Sequence, residues 1–197
     1  MKTETILKAL QSVEAASDPT QRTLELAQLL QELFQEKGCS LIVVGGSAIE
    51  LLTEGLYTSC DIDICFEGDR PPLREITGLM AQLKATGGPR SYRVGSCFVD
   101  LLGKIESCAT TPFRKIGGVQ IAKPEDLLAE RLLMTVYPEV NLEAQACAEK
   151  LMLQALSGQL PIDWAEAERV ANLPEYRIRE EFLTMRERLT RTLKKNL

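Results

Sequence analysis

One block of the sequence constrains the fold more than any other, because it joins an apolar run, two glycines and a pair of aspartates. The run Leu41–Val44 is continuous and β-prone, which is typical of a strand buried on both faces. The Gly-Gly-Ser tripeptide Gly45–Ser47 breaks it, and a short helix is expected through Leu52. A second strand is expected over about Cys60–Phe66. The block therefore predicts a strand–turn–helix–strand unit within an α/β domain.

The second strand carries two acidic residues in alternation with isoleucines. Residues two apart in a strand point to the same face, so Asp61 and Asp63 should project together, with Cα atoms about 6–7 Å apart. Two carboxylates at that spacing could share one or two hard divalent cations, which prefer oxygen ligands. The alternative is an edge strand whose charged outer face prevents aggregation. The pattern alone leaves both interpretations open.

The Gly-Gly-Ser tripeptide adds a second feature with a chemical meaning. Glycines that follow a buried strand at the start of a helix let backbone N–H groups approach phosphate oxygens, and Ser47 adds a hydroxyl donor. A tight turn without a ligand would use the same glycines. The tripeptide is neither a dinucleotide fingerprint nor a Walker A sequence. A phosphate cradle and a paired-carboxylate strand, separated by one short helix, form a more specific combination than either feature alone.

Composition excludes several classes of chemistry. The 197 residues include no histidine, which rules out Ser-His-Asp and Cys-His catalysis and His-ligated zinc. The six cysteines form no CxxC pair, and this favours packing thiols over metal or redox chemistry. A net charge of −5 argues against non-specific coating of nucleic acid. No apolar run reaches the length of a membrane span and no signal peptide is evident, so we expect a cytoplasmic protein without a membrane partner.

The remaining signals divide the chain into a mixed first part and a helical second part. Strands are expected near residues 92–94 and 97–102, and a hairpin over 113–122, split by two glycines. From Pro124 onward the periodicity is helical, and Asp163 with Glu166 resembles a capping box. We therefore predict an α/β (α+β) fold, with a mixed sheet flanked by helices in residues 1–122 and a helical domain in residues 123–197.

The glycine turn and the Asp-x-Asp strand together resemble the signature of the DNA-polymerase-β-like nucleotidyltransferase superfamily. That signature is an apolar residue, Gly, then Gly or Ser, a short interval, and Asp-apolar-Asp-apolar on the next strand. Val44–Ser47 and Asp61–Ile64 match it, with a spacing at the long end of the family range. The family also has a third carboxylate on a later strand. Asp100 is the candidate, although an ordinary strand-end residue is an equally open interpretation.

A later segment resembles one branch of that superfamily. Ile121–Leu132 is similar to the entry into the helical region of small prokaryotic abortive-infection and toxin-type nucleotidyltransferases. Those members often have Lys where this chain has Arg131, and an arginine can clamp phosphate but does not act as a general base. The resemblance covers about residues 40–135, and it implies the nucleotidyltransferase fold for the sheet domain.

The resemblance also implies an activity and a set of roles. The activity is two-metal transfer of a nucleoside monophosphate from an NTP to an acceptor hydroxyl, with two Mg²⁺ expected and Mn²⁺ as an alternative. The acceptor class stays open between an RNA end, a protein hydroxyl and a small molecule. The implied metal ligands are Asp61, Asp63 and Asp100. The implied phosphate-binding residues are Gly45, Gly46 and Ser47, with Arg131 as a supporting cation in the catalytic set.

Two other interpretations compete with catalysis. The first is a catalytically silent nucleotidyltransferase-like regulator or toxin–antitoxin component. The second is a helical interaction module whose α/β half serves only as a scaffold. Both predict a protein partner that contacts the C-terminal helices. Metal-dependent nucleotide binding would separate them from the enzymatic interpretation.

Overall fold

The computed structural model describes residues 3–195, so the ends of the two predicted domains at residues 1 and 197 lie outside it. The helices are α1 (Thr3–Ala15), α2 (Pro19–Gln35), α3 (Gly45–Leu52), α4 (Leu73–Gln82), α5 (Pro124–Val136), α6 (Leu142–Leu156), α7 (Trp164–Ala171) and α8 (Arg179–Lys195). The strands are β1 (Leu41–Val44), β2 (Asp61–Phe66), β3 (Thr86–Gly87), β4 (Ser91–Val94), β5 (Cys97–Lys104), β6 (Arg114–Ile116) and β7 (Val119–Ile121).

The strands form one mixed sheet with the order β3-β4-β5-β2-β1-β7-β6. The central strand β2 pairs antiparallel with β1 and parallel with β5, and β1 pairs parallel with β7. The predicted mixed sheet flanked by helices and followed by a helical region is confirmed. The two-residue strand β3 was not expected, because two residues are too few to produce a recognisable alternation.

The start of α3 differs from the sequence prediction in one respect. The helix begins at Gly45 itself, so the tripeptide expected to form a turn is the first turn of the helix. Val44 is extended, and Gly45 has φ +61°, a left-handed conformation that glycine adopts without steric cost. The chain therefore passes from strand to helix at one residue.

The described chain consists of two compact units. The first contains the residues up to Glu106 together with Phe113–Ala122, and the second contains Ser107–Pro112 together with the residues from Lys123 onward. In the first unit, Phe34 of α2 packs on Phe66 of β2 with ring centroids 5.8 Å apart. In the second, Trp164 of α7 packs on Phe182 of α8 at 6.4 Å. Each unit thus has an apolar core of its own, while the predicted domain boundary stays a prediction.

Acidic side chains of the second unit hold the short segment Ser107–Pro112. Asp126 accepts hydrogen bonds from the Ser107 hydroxyl at 2.6 Å and from the Ala109 N–H at 2.8 Å. Glu166 accepts from the Thr110 N–H and hydroxyl and from the guanidinium of Arg169. Side chains of α5 and α7 therefore accept hydrogen bonds from backbone N–H groups of this segment.

These contacts also revise the expected capping box at the start of α7. The Asp163 carboxylate accepts from the N–H groups of Ala165 and Glu166, as an N-cap should. The return bond is absent, because the Asp163 N–H donates to Glu125 at 2.9 Å and Glu166 is engaged by Thr110. The capping box is thus only half formed, and long-range partners take the place of the local bond.

Two further expectations concern the cysteines and the membrane. None of the six cysteines forms a disulfide, and Cys65 and Cys147 are buried as packing thiols should be, while Cys60 is exposed. Within residues 3–195, no helix combines the length and the apolar character that crossing a bilayer requires.

Candidate functional site

The parallel pairing of β2 with β5 brings the three predicted carboxylates to one face of the sheet. Asp63 is the register partner of Asp100, and Asp61 is the partner of Phe98. Side chains of register partners lie on the same face, as do residues two apart in one strand. The intervening Ile62 and Val99 are buried on the other face. Asp61, Asp63 and Asp100 therefore share the more open face of the central strands, although their functional roles stay predictions.

The glycine start of α3 lies directly beside these carboxylates. Val44, the last residue of β1, is the register partner of Asp63. A Cβ atom built on Gly45 would lie 2.5 Å from Oδ2 of Asp63. The Asp63 carboxylate therefore lies against the backbone of Gly45.

The side chain of Ser47 has a different environment from the one that the sequence suggested. It is fully buried, and its Oγ donates to the Val44 carbonyl at 3.1 Å and accepts from the Asp63 N–H at 3.3 Å. The hydroxyl thus joins the end of β1 to β2. A hydrogen bond from this hydroxyl to a phosphate would require it to leave the Val44 carbonyl.

Backbone N–H groups are the better anion donors at this position. The first N–H groups of a helix lack intrahelical acceptors, and the N-cap residue Val44 makes no side-chain capping bond. The helix dipole adds a partial positive charge at the same end. An anion such as a phosphate is the ligand that this arrangement suits.

The loop between α3 and β2 covers the glycine turn. A Cβ atom on Gly46 would lie 2.9 Å from Oγ of Ser59 and 3.2 Å from Cε1 of Tyr57. Gly45, Gly46 and Ser47 are all buried. The side chains of Tyr57 and Ser59 therefore lie directly beside Gly46.

Glu50 holds that loop in place, and the sequence reasoning did not identify it. Its side chain is fully buried, with Oε1 accepting from the Thr20 hydroxyl at 3.0 Å and Oε2 from the Ser59 N–H at 2.9 Å. Burying a carboxylate is costly unless its oxygens are hydrogen-bonded, and both oxygens are. The available signal was a lone charge in an otherwise apolar helix, three residues after Ser47.

The carboxylates suit a divalent cation in chemistry and in backbone placement, but their side chains do not converge in this structure. Among residues 3–195, no group of three or more His, Cys, Asp or Glu side chains is arranged to hold a metal ion. Asp61 accepts a hydrogen bond from the Ser59 hydroxyl at 3.0 Å, and Asp63 faces Gly45. Carboxylate oxygens on one face of the sheet would suit Mg²⁺ or Mn²⁺ if the three side chains turned toward a common point.

Arg131 is the one predicted site residue that belongs to the second unit. It lies on α5, where Nη1 contacts Sδ of Met134 at 3.5 Å. Within the described part of the chain, its buried Nε has no hydrogen-bond partner. The role of Arg131 as a supporting cation stays a prediction.

The arrangement of strands and helices is shared with nucleotidyltransferase structures. The solution structure of the antibiotic-resistance factor ANT(2'')-Ia aligns over 90% of this chain and 99% of its own, with a TM-score of 0.54 and 16% identity. An antigenic nucleotidyltransferase-like protein from Paracoccidioides brasiliensis aligns over 70% of this chain and 77% of its own, with a TM-score of 0.50 and 16% identity. No family model and no curated protein matches the sequence. The chain has the fold of nucleotidyltransferases, which confirms the fold that the sequence resemblance implies.

Proposed function

We propose that this chain is a metal-dependent nucleotidyltransferase, which moves a nucleoside monophosphate from an NTP to an acceptor hydroxyl. The observation that carries the proposal is the register of Asp63 with Asp100, which sets these residues and Asp61 on one face of the sheet. The glycine start of α3 lies against Asp63 and adds an anion site next to the carboxylates. The shared fold supports the same conclusion.

The residues divide into two groups with separate tasks. The N–H groups of Gly46 and Ser47, aided by the dipole of α3, would bind the outer phosphates of the NTP. Asp61, Asp63 and Asp100 would hold two Mg²⁺ or Mn²⁺ ions. Such ions supply charge neutralisation of the triphosphate and activation of the attacking hydroxyl. The roles require positioning and charge, which suits a chain without histidine.

In this proposal, the donor and the acceptor lie on opposite sides of β2. The anion site follows β1, whereas Asp100 lies on β5, on the other side of β2. The triphosphate would therefore approach from β1, and the attacking hydroxyl would be oriented near Asp100. An attack on the α-phosphorus with departure of pyrophosphate needs this in-line separation.

A labelling experiment tests the proposal. The protein is incubated with each α-³²P-labelled NTP, Mg²⁺ and a cell extract, because the labelled product reports both the donor and the acceptor class. We expect one class of product, which should disappear in the variant with Asp61→Asn and Asp63→Asn. If no NTP labels any acceptor, the proposal is contradicted. In that case the alternative, a silent regulator or toxin–antitoxin component with a partner on its helical region, is favoured.

A further inference from the structure

An exposed aromatic side chain lies on the same face of the sheet as the carboxylates. Phe98 is 53% exposed and is the register partner of Asp61 on one side and of Arg93 on the other. The guanidinium carbon of Arg93 lies 5.9 Å from the centre of the Phe98 ring. Arg93 Nε donates to the Gly95 carbonyl at 3.0 Å, which fixes the orientation of the guanidinium. A flat apolar surface therefore stands next to Asp61, with a flat cation on the strand beyond it.

The position of Phe98 beside the carboxylates is more informative than its exposure. Single exposed apolar residues are ordinary on protein surfaces. Phe98, however, alternates with buried Val99 and precedes Asp100 by two residues, so it shares the face of the carboxylates. Its Cα lies about 6–7 Å from that of Asp100 by strand geometry. A ligand on the Phe98 ring would reach the carboxylates without crossing the sheet.

The strand order separates the Phe98–Arg93 pair from the proposed anion site. Across the sheet the order is β1, β2, β5, β4, so the anion site of α3 and the Phe98–Arg93 pair lie on opposite sides of β2. With neighbouring strands about 4.8 Å apart, β5 and β4 are about 10 and 14 Å from β1. The attacking and leaving oxygens of nucleotidyl transfer lie roughly in line. If the leaving pyrophosphate is held at α3, the acceptor enters over Phe98 and Arg93.

We infer that Phe98 and Arg93 bind the acceptor, and that the acceptor is the terminal nucleoside of a single-stranded nucleic acid. Bases stack on aromatic rings and on arginine planes, and the arginine charge also suits a phosphodiester. The base and the hydroxyls of a nucleoside are attached to one sugar ring, so a base on Phe98 leaves its hydroxyl near Asp100. The inference rests on the proposed nucleotidyl transfer, and it deepens that function by naming the acceptor class.

The chemical step follows from this placement. The terminal hydroxyl oxygen forms a bond to the α-phosphorus of the NTP, while the bond from that phosphorus to the pyrophosphate oxygen breaks. Pyrophosphate leaves toward α3, and the hydroxyl proton passes to water. The net charge of −5 suits the capture of one terminal nucleotide more than the tracking of a long strand.

A fluorescent oligonucleotide tests the inference without relying on turnover. The probe is a short single-stranded oligoribonucleotide with 2-aminopurine at its 3′ end, because stacking changes the emission of that base. We expect Phe98→Ala to weaken binding by about tenfold or more, the effect of losing one base–aromatic stack. Phe98→Tyr should retain binding. Phe98→Leu, which keeps apolar volume without a π face, should lose it as the alanine variant does.

Controls separate stacking from loss of fold and from failure of the proposed function. Tyr137→Ala removes another exposed aromatic residue, 69% exposed in the segment after α5, and should leave binding unchanged. Circular dichroism and the Mg²⁺-NTP melting shift of each Phe98 variant should match the wild type. If the wild type shows no such shift, the proposed function fails, whatever the probe does.

Other outcomes overturn the inference while the proposed function stands. Wild-type affinity in Phe98→Leu, or no probe binding in a wild type that does bind Mg²⁺-NTP, would exclude a stacking site. Label transferred to protein or to a free nucleoside in preference to the strand would exclude a strand end as acceptor. A parallel probe made of DNA decides whether the 2′-hydroxyl contributes, and Arg93→Gln should weaken binding and lower its salt dependence.

Discussion

The carboxylate of Asp63 lies against Cα of Gly45, in the space that any larger residue at position 45 would occupy. A Cβ atom at this position would be 2.5 Å from Oδ2 of Asp63, and Gly45 also has φ +61°. Two independent requirements, space and backbone conformation, therefore call for glycine at the junction of β1 and α3. The junction couples the geometry of the proposed anion site to the orientation of a proposed metal ligand.

We expect Gly45→Ala to impair both nucleotide binding and stability. The left-handed conformation costs a residue with a Cβ atom about 1–2 kcal/mol, and the Asp63 carboxylate must move to relieve the contact. Thermal unfolding and the Mg²⁺-NTP melting shift measure the two effects. The matched control is Gly78→Ala in α4, where no heavy atom lies within 4 Å of an added Cβ. It should leave binding intact and stabilise the helix by up to about 1 kcal/mol. An undiminished ligand shift in Gly45→Ala would contradict the assignment.

The Asp61→Asn, Asp63→Asn variant tests the proposed metal site. In the wild type, Mg²⁺ with NTP at a hundredfold excess over Kd should stabilise the fold by about 2.7 kcal/mol, and NTP alone should do little. The double variant should lose this shift in a thermal melt, yet be no less stable without ligand, because like charges on one face are removed. Asp69→Asn, an exposed change in the turn after β2, serves as control. A full Mg²⁺-NTP shift in the double variant would mean that the ligand binds elsewhere.

Glu50 offers a test of the loop that covers the glycine turn. Glu50→Ala leaves the Ser59 N–H and the Thr20 hydroxyl without their acceptor, which should cost about 1–3 kcal/mol of unfolding free energy. Glu50→Gln retains one acceptor oxygen and should cost less. Urea unfolding measures both, with Glu32→Ala on the exposed side of α2 as control, expected within about 0.5 kcal/mol of the wild type. Equal stability of Glu50→Ala and wild type would show that the buried bonds contribute nothing.

The hydrogen bonds to Glu166 predict part of the acid sensitivity of the second unit. The hydrogen bond from Arg169, then that from the Thr110 N–H, lowers the pKa of Glu166 from 4.5 to about 2. A carboxyl whose pKa is lower in the folded state contributes its stability above the unfolded pKa and loses it as pH falls toward the folded pKa. The contribution should therefore fade between about pH 5 and pH 2. Glu166→Gln should be less stable than the wild type at pH 7, with a difference that shrinks through this window.

Unfolding curves at a series of pH values test that expectation. Glu139→Gln, at an exposed position outside the Ser107–Pro112 contacts, should show no such convergence with the wild type. A constant difference between Glu166→Gln and wild type from pH 7 to pH 2 would mean that the ionisation of Glu166 has no part in the stability.

Local patterns predicted much of this fold. Alternation placed Asp61 and Asp63 on one face, and Asp163 caps the start of α7. The glycines between β6 and β7 marked a hairpin that the structure contains. These features depend on a few neighbouring residues, so the sequence alone carries the information.

Other features depend on partners that are far away in the chain. The parallel register of β2 with β5 decides that Phe98 stands beside Asp61, and no local alternation could reveal this pairing. The structural role of Glu50 depends on hydrogen bonds from Thr20 and Ser59, and that of Glu166 on hydrogen bonds from Thr110. Asp100 was identified only through the family resemblance, because one charge in an apolar strand has several local explanations.

The parallel pairing of β2 with β5 also has a kinetic consequence. Asp61 and Asp63 are neighbours as soon as β2 is extended, but Asp100 joins them only after the chain has passed through α4, β3 and β4 and returned. Contacts that close long loops form late, because the chain loses entropy on closing the loop before the contacts contribute any favourable free energy. A chain still emerging from the ribosome, or one with β5 detached, would carry two of the three carboxylates of the proposed metal site. The proposed nucleotide transfer would thus begin only when the central sheet has closed.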